Sequence, residues 1–212
     1  MQKLEPSQSR AARGLSTRLR SLTKRPLRAV VLLLAVLSVS VFAVGAAPAQ
    51  AKVTFKSYLT FDKNAKNPQN SRLTFEVYRT DLDPPRRTVS LSYRAGSGLG
   101  STNDCASSRG WLPNGWYSTK VEKHHNGKIH GVVVALPNKK CSKGTTTRTE
   151  LFIHSEMTTA GGQKCKKGVD LITCWEGNGD YKSNGCIKLK PADVKQLADY
   201  LVRFPTRLHV VS

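Results

Sequence analysis

The stretch "SNGCIKLKPADVKQLADYLVRF", residues 183–204, carries a tight turn, a short apolar segment and one amphipathic helix in succession. Pro191 suits the first helical turn and Asp193 sits near its positive end. Val194, Leu197 and Leu201 recur at i, i+3 and i+7, one apolar face. Pro205 stops the helix. Ahead of it, Ser183, Asn184 and Gly185 form a turn that delivers Cys186 into the apolar "CIKL".

Working outward from this helix, the chain reads as β. "KVTFKSYLTF" (52–61), "RLTFEVYR" (72–79) and "RTVSLSYRAG" (87–96) alternate apolar and polar residues, the period of half-buried strands. Asn, Asp and Pro break them in "DKNAKNPQNS" and "DLDPPRR". "GWYSTKVEKH" (115–124) and "KIHGVVVALP" (128–137) flank Asn126-Gly127, a hairpin signal. "RTELFIHS" (148–155), "GCIKL" (185–189) and "RLHVV" (207–211) complete the strands. The expectation is a mainly β sandwich or barrel with one helix near the C-terminus packed on it. The stretch 156–184 is long, polar and Gly-rich; a loop of that length is usually functional or stapled.

Residues 1–28 are basic, 29–47 are apolar, and Ala49-Gln50-Ala51 resembles a signal cleavage site. A secretory signal over 1–51 is expected, with a membrane anchor at 29–47 as the alternative. Either places residues 52–212 outside the cytoplasm. Those residues divide into leading strands (52–87) and a principal domain (88–212). Residues 1–51 hold eight Lys or Arg and one acid, which leaves 26 basic and 13 acidic residues and a net charge of +13 in 52–212. That balance favours an anionic partner, and for a secreted chain the anionic cell wall. No basic–aromatic platform or one-sided basic helix points to nucleic acid. The reading is a monomer.

The five cysteines, 105, 141, 165, 174 and 186, all fall in the exported part. An oxidising space pairs thiols, and an odd number leaves one over. Fifteen arrangements exist. Sequence context favours Cys105–Cys141 across two turn-rich segments, Cys165–Cys174 around a short loop, and a free Cys186. No C-x-x-C or H-x-x-x-H spacing suggests a metal.

A thiol attacks as its thiolate, and a histidine can ion-pair with it and later protonate the leaving group. His124 and His125 are polar-flanked near the hairpin and read as solvated; His130 and His209 read as ordinary strand positions. His154 ends the apolar "LFI" at a strand-to-loop boundary, with Ser155 beside it to orient the ring. On residue chemistry alone His154–Cys186 is one pairing among several.

These segments resemble the L,D-transpeptidase catalytic domain (the YkuD type). "FIHS", the insertion 156–182, "SNGCIKL" and "PADVKQLADYL" match its strand-end histidine, variable insertion, Gly-Cys turn and helix; "AGSG" and "WLPNGWYS" match upstream elements. The likeness covers roughly 88–203. The order His then Cys argues against NlpC/P60 peptidases, and "KSNGC" does not match the sortase motif. Asn184 replaces the histidine that precedes Gly-Cys in the family, and the gap from His154 to Cys186 exceeds the family's.

The resemblance implies a secreted, cofactor-free acyltransferase on peptidoglycan stem peptides. Cys186 would be the nucleophile, His154 the proton shuttle and the Ser155 main chain its support. Backbone amides around Ser183, Asn184, Gly185 and Cys186 would hold the oxyanion. From the residues themselves, Glu156 is either a contact for a stem amine or a solvated loop charge, and Trp116 and Tyr117, with Trp111, could line a groove, although aromatics in short strands are more often core. Phosphate binding at "AGSGLGS" lacks the helix it needs. The rival reading is an inactive, basic, wall-binding domain.

Overall fold

The computed structural model describes residues 51–212; the expected signal or anchor lies outside them. The strands are β1 (Phe55–Asp62), β2 (Ser71–Arg79), β3 (Arg86–Ser97), β4 (Gly115–Tyr117), β5 (Lys120–Asn126), β6 (His130–Leu136), β7 (Lys139–Lys140), β8 (Thr147–Arg148), β9 (Leu151–His154), β10 (Ile187–Lys188) and β11 (Leu208–Val211), with α1 at Pro191–Arg203.

Nine strands form one sheet in the order β4-β11-β1-β2-β3-β10-β9-β6-β5, and β7 with β8 makes a separate ribbon. β4 and β5 stand at opposite ends of that order, yet only Ser118 and Thr119 separate them in the chain. Two residues cannot span a flat nine-stranded sheet, whose strands lie about 4.8 Å apart. The sheet therefore curls into a half-barrel that brings its edges together. β1 and β2 pair with β11 and β3, so residues 52–87 are part of this sheet.

Alternation decides which side chains enter the curl. Leu59, Phe61, Leu73, Phe75 and Val77 are buried, while Lys56, Arg72 and Arg94 stay outside. α1 seals the core with Val194, Leu197, Ala198 and Leu201. Two predicted strands break. The 115–124 run divides at Ser118–Thr119, where the chain passes between sheet edges. The 148–155 run divides at Glu150, whose φ of +53° is left-handed.

Disulfides join Cys105 to Cys141 and Cys165 to Cys174, and Cys186 is free and buried, the arrangement that sequence context favours. Such bonds fit an oxidising, extracytoplasmic setting. No helix among the described residues is long and apolar enough to cross a membrane.

Leu197 is completely buried beneath α1. Leu197→Ala is expected to cost about 2–5 kcal/mol, read as a lower urea midpoint with an unchanged slope. A loss under about 1 kcal/mol would mean that α1 does not close the core.

Candidate active site

β10 lies beside β9 in parallel, with Ile187 opposite Ile153 and Lys188 opposite His154. Period-2 alternation sends the two isoleucines into the core. It sends Cys186, Lys188, Phe152 and His154 to the other face, where all four line a cavity of about 550 Å³. The pairing of β9 with β6 carries this row further. Val134 faces Ile153, so the next pair sets Val133 beside His154, and Val133 faces Glu122 on β5. Ser155, Glu156, Ser183 and Asn184 also line the cavity, and exposed Leu99 and Ile172 give it an apolar rim.

The turn carrying Cys186 is built tightly. Gly185 has φ +112°, and a β-carbon there would meet Arg148 Nη2 at 2.0 Å, so only glycine fits. Buried Ser183 accepts from the Gly98 and Gly185 amides and donates through Oγ to the Cys186 carbonyl at 2.6 Å. Arg148, 4% exposed, donates through Nη1 to the Asp104 and Trp111 carbonyls and through Nη2 to those of Gly110 and Asn184. The Cys105–Cys141 disulfide ties the 104–111 segment, which supplies three of the four carbonyls, to the stretch of chain that leads to Arg148. Asp104 adds bonds from the Ser142 amide and hydroxyl.

His154 donates through Nδ1 to the Ser155 carbonyl, 3.1 Å away, which fixes the ring and leaves Nε2 as the basic nitrogen. Burial, reinforced by the Lys188 charge, pushes this imidazole down to about 3. Burial also pushes the Cys186 thiol up to about 11. Burial thus opposes the resting thiolate–imidazolium pair of the sequence reading, because desolvation favours the neutral form of each partner. The thiol donates to the Glu150 carbonyl at 3.4 Å, and none of the hydrogen bonds among the described residues joins Sγ to His154. The left-handed Glu150 presents that carbonyl.

Several expected roles change. The Gly185 amide is committed to Ser183 Oγ, so it is not free for an oxyanion in this conformation. Tyr117 is core, donating to the Pro113 carbonyl at 2.6 Å. Trp116 is half-exposed on β4 and stacks on His209, with ring centroids 4.2 Å apart. Trp111 is buried beneath the Lys63 ammonium. None of these aromatics lines the cavity. Asn184 stands exposed at the mouth. Glu156 is present, ion-paired with the buried Lys188, and its burial raises its carboxyl above the ordinary value.

Sequence reasoning missed Lys188, Arg148 and His125. Lys188 carried a signal: it alternates in step with Cys186. Arg148 carried none, because its partners are distant backbone carbonyls. His125, read as solvated, lines the cavity.

No protein-family model matches this chain, and no curated protein matches it. It is similar to the solved structure of Bdellovibrio bacteriovorus Bd1075, with 15% identity and a TM-score of 0.43, over 73% of this chain and 47% of that one. The chain thus spans about half the length of that structure.

Thiolate is the alkylated species. A thiol at about 11 instead of its ordinary 9 holds roughly 100-fold less thiolate at pH 7. Iodoacetamide labelling of Cys186 is expected to be slow at pH 7 and to climb continuously beyond pH 9. A plateau below pH 7 would show a preformed ion pair.

Proposed function

We propose that the chain is a cysteine acyltransferase of the L,D-transpeptidase kind, acting on peptidoglycan stem peptides outside the cytoplasm. The observation that carries this reading is the free Cys186, on the same cavity face as an imidazole whose Nδ1 is tied to a backbone carbonyl.

As the stem carbonyl enters, the thiol swings from Glu150 and His154 Nε2 takes its proton. Sulfur then forms the C–S bond. His154 returns that proton to the departing D-alanine nitrogen as the C–N bond breaks, leaving a thioester. An amine from a second stem resolves it and gives a cross-link; water in its place gives carboxypeptidase activity. The low polarity that favours a neutral dyad also makes each hydrogen bond to the developing oxyanion stronger than in water. Ser183 and Arg148 position the turn that presents sulfur. No step calls for a metal or organic cofactor. The net charge of 52–212 holds the protein near an anionic wall.

The second reading, a basic wall-binding domain without catalysis, is favoured by the thiol's bond to Glu150 rather than to the imidazole. Incubation with a disaccharide-tetrapeptide separates the two. The expected products are free D-alanine and cross-linked dimers by mass spectrometry, abolished in Cys186→Ala. His154→Gln is expected to lower turnover by roughly 10²–10⁴-fold. Wall binding without any D-alanine release would establish the rival.

A further inference from the structure

The hairpin beside the site carries a second imidazole with its own orienting group. On β5, Glu122 pairs with Val133 and His125 with Gly131, so three steps on one strand oppose two on the other. That extra residue is a β-bulge. Strict alternation would put Glu122 and His125, three apart, on opposite faces. The bulge puts them on the same face, where His125 donates through Nδ1 to Glu122 Oε2 at 2.8 Å. The ring packs against Phe152 at 5.2 Å between centroids, and it lines the cavity that holds Cys186 and His154. Gly131 keeps the neighbouring position clear; a β-carbon there would strike Met157 at 2.3 Å.

Resting on the acyltransferase reading, the chemistry of the second half-reaction needs such a group. An alkyl amine arrives as an ammonium at neutral pH. Attack on the thioester forms a C–N bond and breaks the C–S bond, and the nitrogen sheds two protons. One ends on the Cys186 sulfur by way of His154. The other is surplus: R–NH₃⁺ plus thioester gives amide, thiol and H⁺. His154 is a poor sink for it, being 8% exposed and beside Lys188. His125 has a side chain 23% exposed to solvent and the Glu122 carboxylate 2.8 Å from its Nδ1. The other charged groups lining this cavity are Lys128 and Glu150, which pair with each other, Lys188 and Glu156, which do the same, and Lys182.

We infer that His125 is a catalytic base of the aminolysis step, taking the surplus proton of the incoming ammonium, and that Glu122 is its positioning residue. The acylation step does not use it.

The test follows each half-reaction in the whole protein, with rapid quenching and intact mass to count acyl-enzyme. In His125→Gln, acylation by the tetrapeptide donor is expected to stay within about twofold of wild type. Transfer to a lysine-like amine should fall by roughly 100-fold, so acyl-enzyme accumulates. With hydroxylamine, already uncharged at neutral pH, the deficit should shrink to a few-fold. Glu122→Gln, which keeps a partner for the ring but removes its charge, should show a smaller deficit of the same kind. An equal deficit with both amines, no deficit, or a deficit that appears in Glu156→Gln instead would overturn the assignment of His125. Wild-type protein that never acylates would overturn the acyltransferase reading itself, and this inference with it.

Discussion

The Arg148 guanidinium, buried among four backbone carbonyls, is the constraint on which the Cys186 turn depends. Removing a charged group from water is costly unless its hydrogen-bonding capacity is met. Here it is met by carbonyl dipoles from 104–111 on one side and by Asn184 on the other. The same bonds satisfy carbonyls that the irregular segments around Gly110 and Asn184 cannot pair within a sheet. Arg148 therefore ties a disulfide-braced loop to the turn that carries sulfur. The close approach requires a glycine at 185, so Arg148 and Gly185 are one structural decision.

The curled sheet supplies the rest by register. Parallel pairing of β9 and β10 sets His154 level with Lys188 and keeps Cys186 on the same face. Because both strands are short and central, their outward side chains sit on the floor of a cavity instead of on an open surface. Burial then governs the chemistry. It favours the uncharged imidazole and thiol, so in the proposed reaction charge separates only as a substrate carbonyl arrives. In the proposed reaction that limits wasteful attack by or on the resting thiol and reserves electrostatic stabilisation for the transition state.

Much of this was legible in the residues. Alternation located the long strands β1–β3 because one of their faces meets solvent and the other the core, and that contrast is what a period of two records. The helix was legible from Val194, Leu197 and Leu201 for the same reason. The cysteine pairing followed from turn-rich contexts that place chain segments at the surface. Long-range features were hidden. Arg148 looks like any basic residue at a strand start, since nothing local reports four distant carbonyls. Trp116 and Tyr117 lie in the same three-residue strand but on its opposite faces, one stacked outside on His209 and the other in the core. His125 sits in the polar run "EKHHNGK", and only the bulge, a feature of pairing with β6, turns it to the site.

The central claim is that Cys186 is an acylatable nucleophile and not a spare structural thiol. Intact mass of the unreduced protein before and after exposure to a carbapenem, a strained amide that acylates such thiols, tests it most directly. The account predicts two disulfides, one adduct per chain on Cys186, and none in Cys186→Ala or His154→Ala. A free Cys186 that takes no adduct, or a mass that places Cys186 in a disulfide, would contradict it.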